Sequence, residues 1–107
     1  MVQELSLYEG VFDLLDCGKN TTIRMGRKDV ALGRLLLKSE TRKIFVNVIM
    51  VSYCKLGNVY ICDAKNDGFI DHTDMYVRMK RFYPDIETDS EVTVVKFANR
   101  PNTLAIK

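Results

Sequence analysis

The chain has 107 residues, of which 47% are hydrophobic, and a formal net charge of +2, values typical of a globular domain. Its three cysteines and one histidine include no Cys-x-x-Cys pair, which argues against a zinc site or a disulfide framework, and we expect no metal and no cofactor. The first residues lack an export signal and no apolar run is long enough to span a membrane, so we expect residues 1–107 to form a single cytoplasmic domain without membrane contact.

The first predicted element is a helix that begins after Ser6. The segment Ser6-Leu7-Tyr8-Glu9 has the pattern of a capping box, in which the serine hydroxyl and the glutamate carboxylate each satisfy a backbone N–H group. Apolar side chains then recur at helical spacing from Tyr8 to Leu15, and Gly18 suits the left-handed position that ends a helix. These features predict an amphipathic helix of about three turns.

The next segment, residues 20–25, alternates as a β-strand does. Ile23 and Met25 are predicted to face the core, whereas Thr22 and Arg24 share the opposite face. The polar face of this strand therefore places a hydroxyl and a permanent cation side by side.

Two further strands are predicted over Ile44–Tyr53 and Val92–Phe97, which are rich in β-branched and aromatic residues. The near-continuous hydrophobicity of Ile44–Tyr53 predicts burial on both faces, as in a curved or barrel-forming sheet.

Two helical segments lie between these strands. Asp67-Gly68 is predicted to close a short helical turn, and Asp71 and Asp74 are predicted to cap the start of a longer helix that stops before Pro84. The predicted inner stripe of this helix consists of Met75, Met79 and Phe82. Strands thus dominate, with helices over the openings of the sheet, which indicates an α+β fold.

Charge is unevenly distributed along the chain. Eight of the sixteen basic residues lie between Lys19 and Lys43 with only two acids, whereas Asp63–Glu91 contains eight acids and four bases. Such asymmetry suits a surface that faces phosphates. It is equally compatible with two solvated faces whose charges have no ligand.

Residues 14–24 resemble a motif of the ASCH family, which belongs to the folds related to the PUA domain. The family shows Gly-x-Lys-x-x-x-x-Arg at a helix-to-strand junction, and Lys19 and Arg24 match its lysine and arginine. Cys17 occupies the position of the leading glycine, and Gly18 lies one place later.

A second group of segments strengthens this resemblance. Asp67-Gly68-Phe69, then Tyr83-Pro84, then the strand Val92–Phe97 are similar in order and spacing to the family's acid-Gly-Phe, helix-ending Tyr-Pro and closing strand. The resemblance implies a PUA-like, partly closed β-barrel of about five to six strands with helices covering its ends.

The resemblance also implies candidate catalytic residues. Bacterial relatives that deacylate N4-acetylcytidine use a lysine, a threonine and a glutamate, which fall on Lys19, Thr22 and Asp67 in this sequence. In such a site the lysine acts as a base, the threonine oxygen attacks, and the carboxylate orients or shuttles a proton. The alternative is a solvated strand edge where Arg24 pairs with Asp67 or a neighbour, and where Asp67 and Gly68 form only a turn.

We favour a binding module that holds RNA or a nucleoside or nucleotide, including a modified one, in a basic cleft around Lys19–Arg24. The predicted ligand-binding residues are Arg24, Arg27, Lys28, Arg34 and Tyr53. Lys19, Thr22, Arg24 and Asp67 are predicted to converge on one concave surface. One alternative is an amidohydrolase acting on an N-acylated cytidine, and another is an adaptor that uses the barrel for protein contacts.

Overall fold

A computed structural model describes residues 3–8, 14–15 and 19–98 of the chain. Its strands and α-helices in chain order are β1 (Glu4–Ser6), β2 (Thr21–Met25), β3 (Gly33–Lys38), β4 (Lys43–Lys55), α1 (Ile61–Asp67), α2 (His72–Phe82) and β5 (Glu91–Ala98). No helix in these residues is long and apolar enough to cross a membrane.

The strands form a curved sheet in the order β1-β3-β4-β5-β2. β1 runs parallel to β3, and the other neighbouring strands are antiparallel. The long strand β4 pairs with β3 through its first half and with β5 mainly through its second half, and a bulge lies between Val48 and Met50. Because a bulge bends a strand, β4 can serve both halves of the sheet. The result is a five-stranded half-barrel with β1 and β2 at its edges, which confirms the predicted α+β fold.

The core consists of two apolar clusters on opposite faces of the sheet. In one cluster, Phe97 and Val95 of β5 pack with buried residues of β3 and β4. In the other, Val92 and Val94 pack with Ile23 of β2 and with side chains of both helices. Burial on both faces explains why β5 is almost continuously hydrophobic.

The prediction that β4 is buried on both faces is wrong. Val46 and Val48 are buried, but Phe45, Ile49 and Met50 are 37%, 58% and 50% exposed. The helices pack beside Cys54, near the other end of β4, so in the described structure they leave the outer face of its first half uncovered.

The capping box predicted at Ser6 is also wrong. Ser6 ends β1, and the backbone N–H of Leu7 donates to the carbonyl of Lys38 at 2.7 Å, so the pairing with β3 continues past the strand. Neither Leu7 nor Tyr8 is helical. The rest of the predicted helix, including Gly18, falls largely on residues 9–13 and 16–18, outside the described residues.

The signals predicted for both later helices are confirmed. Gly68, with a φ of 110°, ends α1 in the left-handed conformation. The side chain of Asp71 accepts a hydrogen bond from the backbone N–H of Asp74 at 2.8 Å and caps α2. Within the predicted inner stripe of α2, Met75 and Met79 are buried, but Phe82 is 47% exposed, which corrects that part of the prediction.

Candidate functional site

A cleft with a volume of about 660 Å³ opens beside the free edge of β2. Its walls come from the ends of β1 and β3, from the turn after α1 and from the C-terminal half of α2. The described residues that line it are 6–8, 14, 22–24, 38–40, 67–69, 78, 79 and 81–83. Its volume falls within the range of small-ligand sites in proteins, roughly 300–1,000 Å³.

Arg24 connects the two edges of the sheet at this cleft. Its Nη2 atom donates to the carbonyl oxygen of Ser6 in β1 at 2.7 Å, and its Nε atom lies 3.3 Å from Oγ1 of Thr22. The predicted strand parity accounts for this arrangement, because Thr22 and Arg24 share a face while Ile23 packs in the core. A guanidinium has five N–H donors, so these two contacts leave donors for a ligand.

A buried ion pair adjoins the cleft through Asp67, which lines it. Lys19 precedes β2 and is 3% exposed, and Asp67 at the end of α1 is 8% exposed. The Nζ atom of Lys19 donates to the carbonyl of Thr21 at 2.6 Å, to the carbonyl of Asp67 at 3.1 Å and to Oδ1 of Asp67. Oδ2 of Asp67 accepts the backbone N–H of Ile23 at 3.0 Å. The pair therefore joins α1 to the edge of β2.

Burial shifts the protonation equilibria of both partners. It lowers the pKa of Lys19 and raises the pKa of Asp67, while the attraction between the two charges acts in the opposite direction for each. Burial therefore brings the two pKa values closer together than in two solvated groups. Perturbed groups beside a cleft are candidates for a functional role.

The structure places two of the three predicted catalytic residues at the cleft. Thr22 and Asp67 line it together with Arg24, whereas Lys19 does not line it and contacts Asp67.

The other predicted ligand-binding residues lie away from the cleft. The guanidinium of Arg27 stacks on the ring of Tyr53 at 3.8 Å, and the Tyr53 hydroxyl donates to the carbonyl of Lys28 at 3.0 Å. The guanidinium of Arg34 stacks on the ring of Phe45 at 3.9 Å. None of these residues lines the described part of the cleft.

Sequence reasoning missed the cleft residues that α2 contributes. Arg78 and Arg81 line the cleft, but the sequence places them in the acidic stretch 63–91. Their three-residue spacing puts them on the same side of a helix, and this spacing could have indicated them. The ring of Phe82 stacks on that of Tyr8 with centroids 5.2 Å apart and an angle of 19° between the planes. Tyr8 is 68% exposed.

No cluster of three potential metal-binding side chains exists among residues 3–8, 14–15 and 19–98. The polar groups of the cleft are cations, hydroxyls and two carboxylates, and one of these carboxylates already pairs with Lys19. This set is suited to an anionic or aromatic organic ligand.

Comparisons with known proteins identify the fold. No family model matches the sequence, and no curated protein matches it. A protein of family DUF984 from Enterococcus faecalis V583 has a similar structure, with a TM-score of 0.69 and 11% sequence identity over 91% of this chain and 79% of that protein. An ASCH domain from Lactobacillus crispatus JV V101 has a TM-score of 0.62 and 14% identity over 89% of this chain and 78% of its own. The chain thus has an ASCH-like fold, as the sequence motifs predict.

Proposed function

We propose that the cleft binds RNA or a nucleoside or nucleotide, including a modified one. The observation that carries this proposal is the combination of cations and exposed aromatic rings along one cleft of about 660 Å³. Proteins recognise single-stranded RNA by stacking its bases on aromatic and arginine side chains and by neutralising its phosphates. Phe82, Tyr8 and Arg24 provide both kinds of contact.

The charge of the cleft supports the same proposal. Four cations line it, namely Arg24, Lys38, Arg78 and Arg81, against the two carboxylates of Glu40 and Asp67. Because the buried Lys19 compensates Asp67, the cleft has an excess of positive charge. Such a potential attracts phosphates and raises association rates at low salt.

Aromatic substitutions inside and outside the cleft test this proposal. Fluorescence anisotropy with a labelled single-stranded RNA measures the affinity of wild type, Phe82→Ala and Phe45→Ala. Phe82 and Phe45 are similarly exposed, at 47% and 37%, but only Phe82 lines the cleft. Loss of a stacked base costs about 1–3 kcal/mol, so Phe82→Ala should weaken binding about 5- to 150-fold. Phe45→Ala should leave it unchanged.

The salt dependence of RNA binding provides a second readout. If the basic residues beside Tyr53 and Phe45 contact phosphates, then replacing Arg27, Lys28 and Arg34 together should flatten this dependence. If this triple variant keeps the full salt dependence, the phosphate contacts belong to the cations of the cleft instead. Negligible RNA affinity at low salt, or an equal loss in Phe82→Ala and Phe45→Ala, would refute binding of RNA in the cleft.

An amidohydrolase is the second candidate function, and the buried Lys19–Asp67 pair beside Thr22 is the observation that favours it. In that reaction the amide C–N bond breaks, and water supplies a hydroxyl to the acyl group and a proton to the amine. The contacts of the structure favour binding. The Nζ atom of Lys19 donates to three acceptors on Thr21 and Asp67, and Oγ1 of Thr22 lies near Nε of Arg24.

Turnover of N4-acetylcytidine, followed by chromatographic detection of released cytidine, tests the amidohydrolase. An active enzyme should lose turnover in Thr22→Ala and retain part of it in Thr22→Ser, which keeps a hydroxyl nucleophile. Lys19→Ala should lose nearly as much, and Asp67→Glu should preserve or raise the rate. A wild-type protein that binds N4-acetylcytidine but releases no acid over a long incubation rules out this activity on that substrate.

A further inference from the structure

We propose that Arg78 and Arg81 of α2 form a phosphate-binding site, so that the cleft selects a nucleotide over a free nucleoside. This inference rests on the proposed function of the cleft and specifies the chemical class of its ligand. Neither arginine belongs to the basic stretch 19–43 that the sequence indicated.

The placement of α2 directs both arginines to the cleft. Met75 and Met79 are buried in the core and fix the orientation of the helix. Arg78 and Arg81 are three residues apart, share a side of the helix and both line the cleft. Each guanidinium carries a fork of N–H donors that suits phosphate oxygens.

Arg78 is already oriented by its own helix. Its Nε atom donates to Oδ1 of Asp74 at 3.0 Å, four residues earlier, and its side chain is 51% exposed. This contact uses Nε and leaves the terminal nitrogens of the guanidinium for a ligand. Asp74 therefore positions Arg78 without occupying the whole group.

Within the described part of the chain Arg81 forms no direct ion pair, although its charge acts on the carboxylate of Asp74 that pairs with Arg78. It lies in the last turn of α2, where a cation also stabilises the partial negative charge of the helix end. That role needs no ligand, so a test must measure stability as well as binding.

The neighbours of the arginine pair fit a nucleotide better than an uncharged nucleoside. Phe82 follows Arg81 directly and presents an exposed ring that stacks on Tyr8. An aromatic surface for a base and a cation for a phosphate therefore lie at the same end of the cleft. On the other wall, Lys38 is paired with Glu4 at 2.7 Å, whereas α2 offers two guanidinium groups beside the single carboxylate of Asp74, so its arginines are the better candidates for the phosphate.

Isothermal titration calorimetry with cytidine and with cytidine monophosphate tests this proposal. Wild type should bind the monophosphate at least about tenfold more tightly than cytidine, because charge-assisted bonds to phosphate are strong. The double variant Arg78→Gln/Arg81→Gln should bind the two compounds with affinities that differ by no more than about twofold. Both affinities should equal that of wild type for cytidine. Lys55→Gln, which removes an exposed cation at the end of β4 outside the cleft, should keep the wild-type preference. Glu40→Gln should strengthen binding of the monophosphate, because it removes a negative charge from the cleft.

The outcomes separate this inference from the proposed function. Equal affinity of wild type for cytidine and cytidine monophosphate would overturn the phosphate site and leave the cleft as a nucleoside site. A double variant with a lower Tm and an unchanged preference would assign the arginines to helix stability and would also overturn it. If neither compound nor single-stranded RNA binds to wild type, the proposed function fails and the inference with it.

Discussion

Replacing Lys19 by methionine leaves the buried carboxylate of Asp67 without its cation. Both side chains are almost fully inaccessible, at 1% and 9% exposure, and Lys19 also donates to two backbone carbonyls. Removing one partner of a buried ion pair costs about 3–5 kcal/mol, a large part of the roughly 5–15 kcal/mol that stabilises a domain of this size. The expected fall in Tm is roughly 15–30 °C.

Urea unfolding followed by circular dichroism measures this cost in a double-mutant cycle. Asp67→Asn keeps an acceptor for the N–H of Ile23 but leaves Lys19 charged, and the double variant Lys19→Met/Asp67→Asn removes both charges. The double variant should therefore be more stable than the sum of the single losses predicts. Lys38→Met is the matched control, because Lys38 forms an exposed pair with Glu4 worth about 0–1 kcal/mol. A loss in Lys19→Met no larger than in Lys38→Met would refute the reasoning.

Two further predictions concern the turn after α1 and the start of α2. Gly68→Ala should lower the free energy of unfolding more than Gly26→Ala does. Both glycines have a positive φ, which costs an alanine about 1–2 kcal/mol. Only at Gly68 would the added Cβ also lie 2.8 Å from the side chain of Leu14. Equal losses in urea unfolding would contradict the packing of Leu14. The backbone N–H of Ile70 donates to the carboxylate of Asp74 and lowers its pKa below the ordinary 3.8. The ionised Asp74 therefore stabilises the fold above pH 3.8, and this stabilisation is lost as the pH falls through the lower pKa of the folded state. Asp74→Ala should therefore be less stable than wild type near neutrality, and the difference should disappear in acid. A pH-independent difference would argue against the hydrogen bond from Ile70 to Asp74.

Local sequence signals predicted much of the framework around the cleft. The alternation in residues 20–25 predicted that Thr22 and Arg24 share a face, and the capping pattern at Asp71 predicted the start of α2. Asp67-Gly68 predicted the end of α1. These signals act within a few residues, so the sequence contains them directly.

Features that depend on distant contacts were not predictable in the same way. The capping pattern at Ser6 gave way to a parallel pairing with β3, which lies about thirty residues further along the chain. Phe45 is exposed because the helices pack near the other end of β4. The composition of the strand itself does not contain that information.

The membership of the cleft depends on the same long-range geometry. If the strand edge was merely solvated, Arg24 was expected to pair with Asp67 or a neighbour. In the described residues its hydrogen bonds go to Ser6 and Thr22, while Asp67 pairs with Lys19. The concentration of basic residues in 19–43 favoured Arg27 and Arg34 as ligand-binding residues. In the structure both stack on aromatic rings outside the cleft. Proximity along the chain is therefore a poor guide to which cations share a site.

Binding of RNA in the cleft can be tested most directly by titrating ¹⁵N-labelled protein with a short single-stranded RNA and following the backbone amide resonances. The largest shifts should occur at Arg24, Gly68, Phe69 and Tyr83, which line the cleft in three separate parts of the chain. Shifts confined to the surface around Tyr53 or Phe45, or no shifts at low salt, would contradict RNA binding at this cleft.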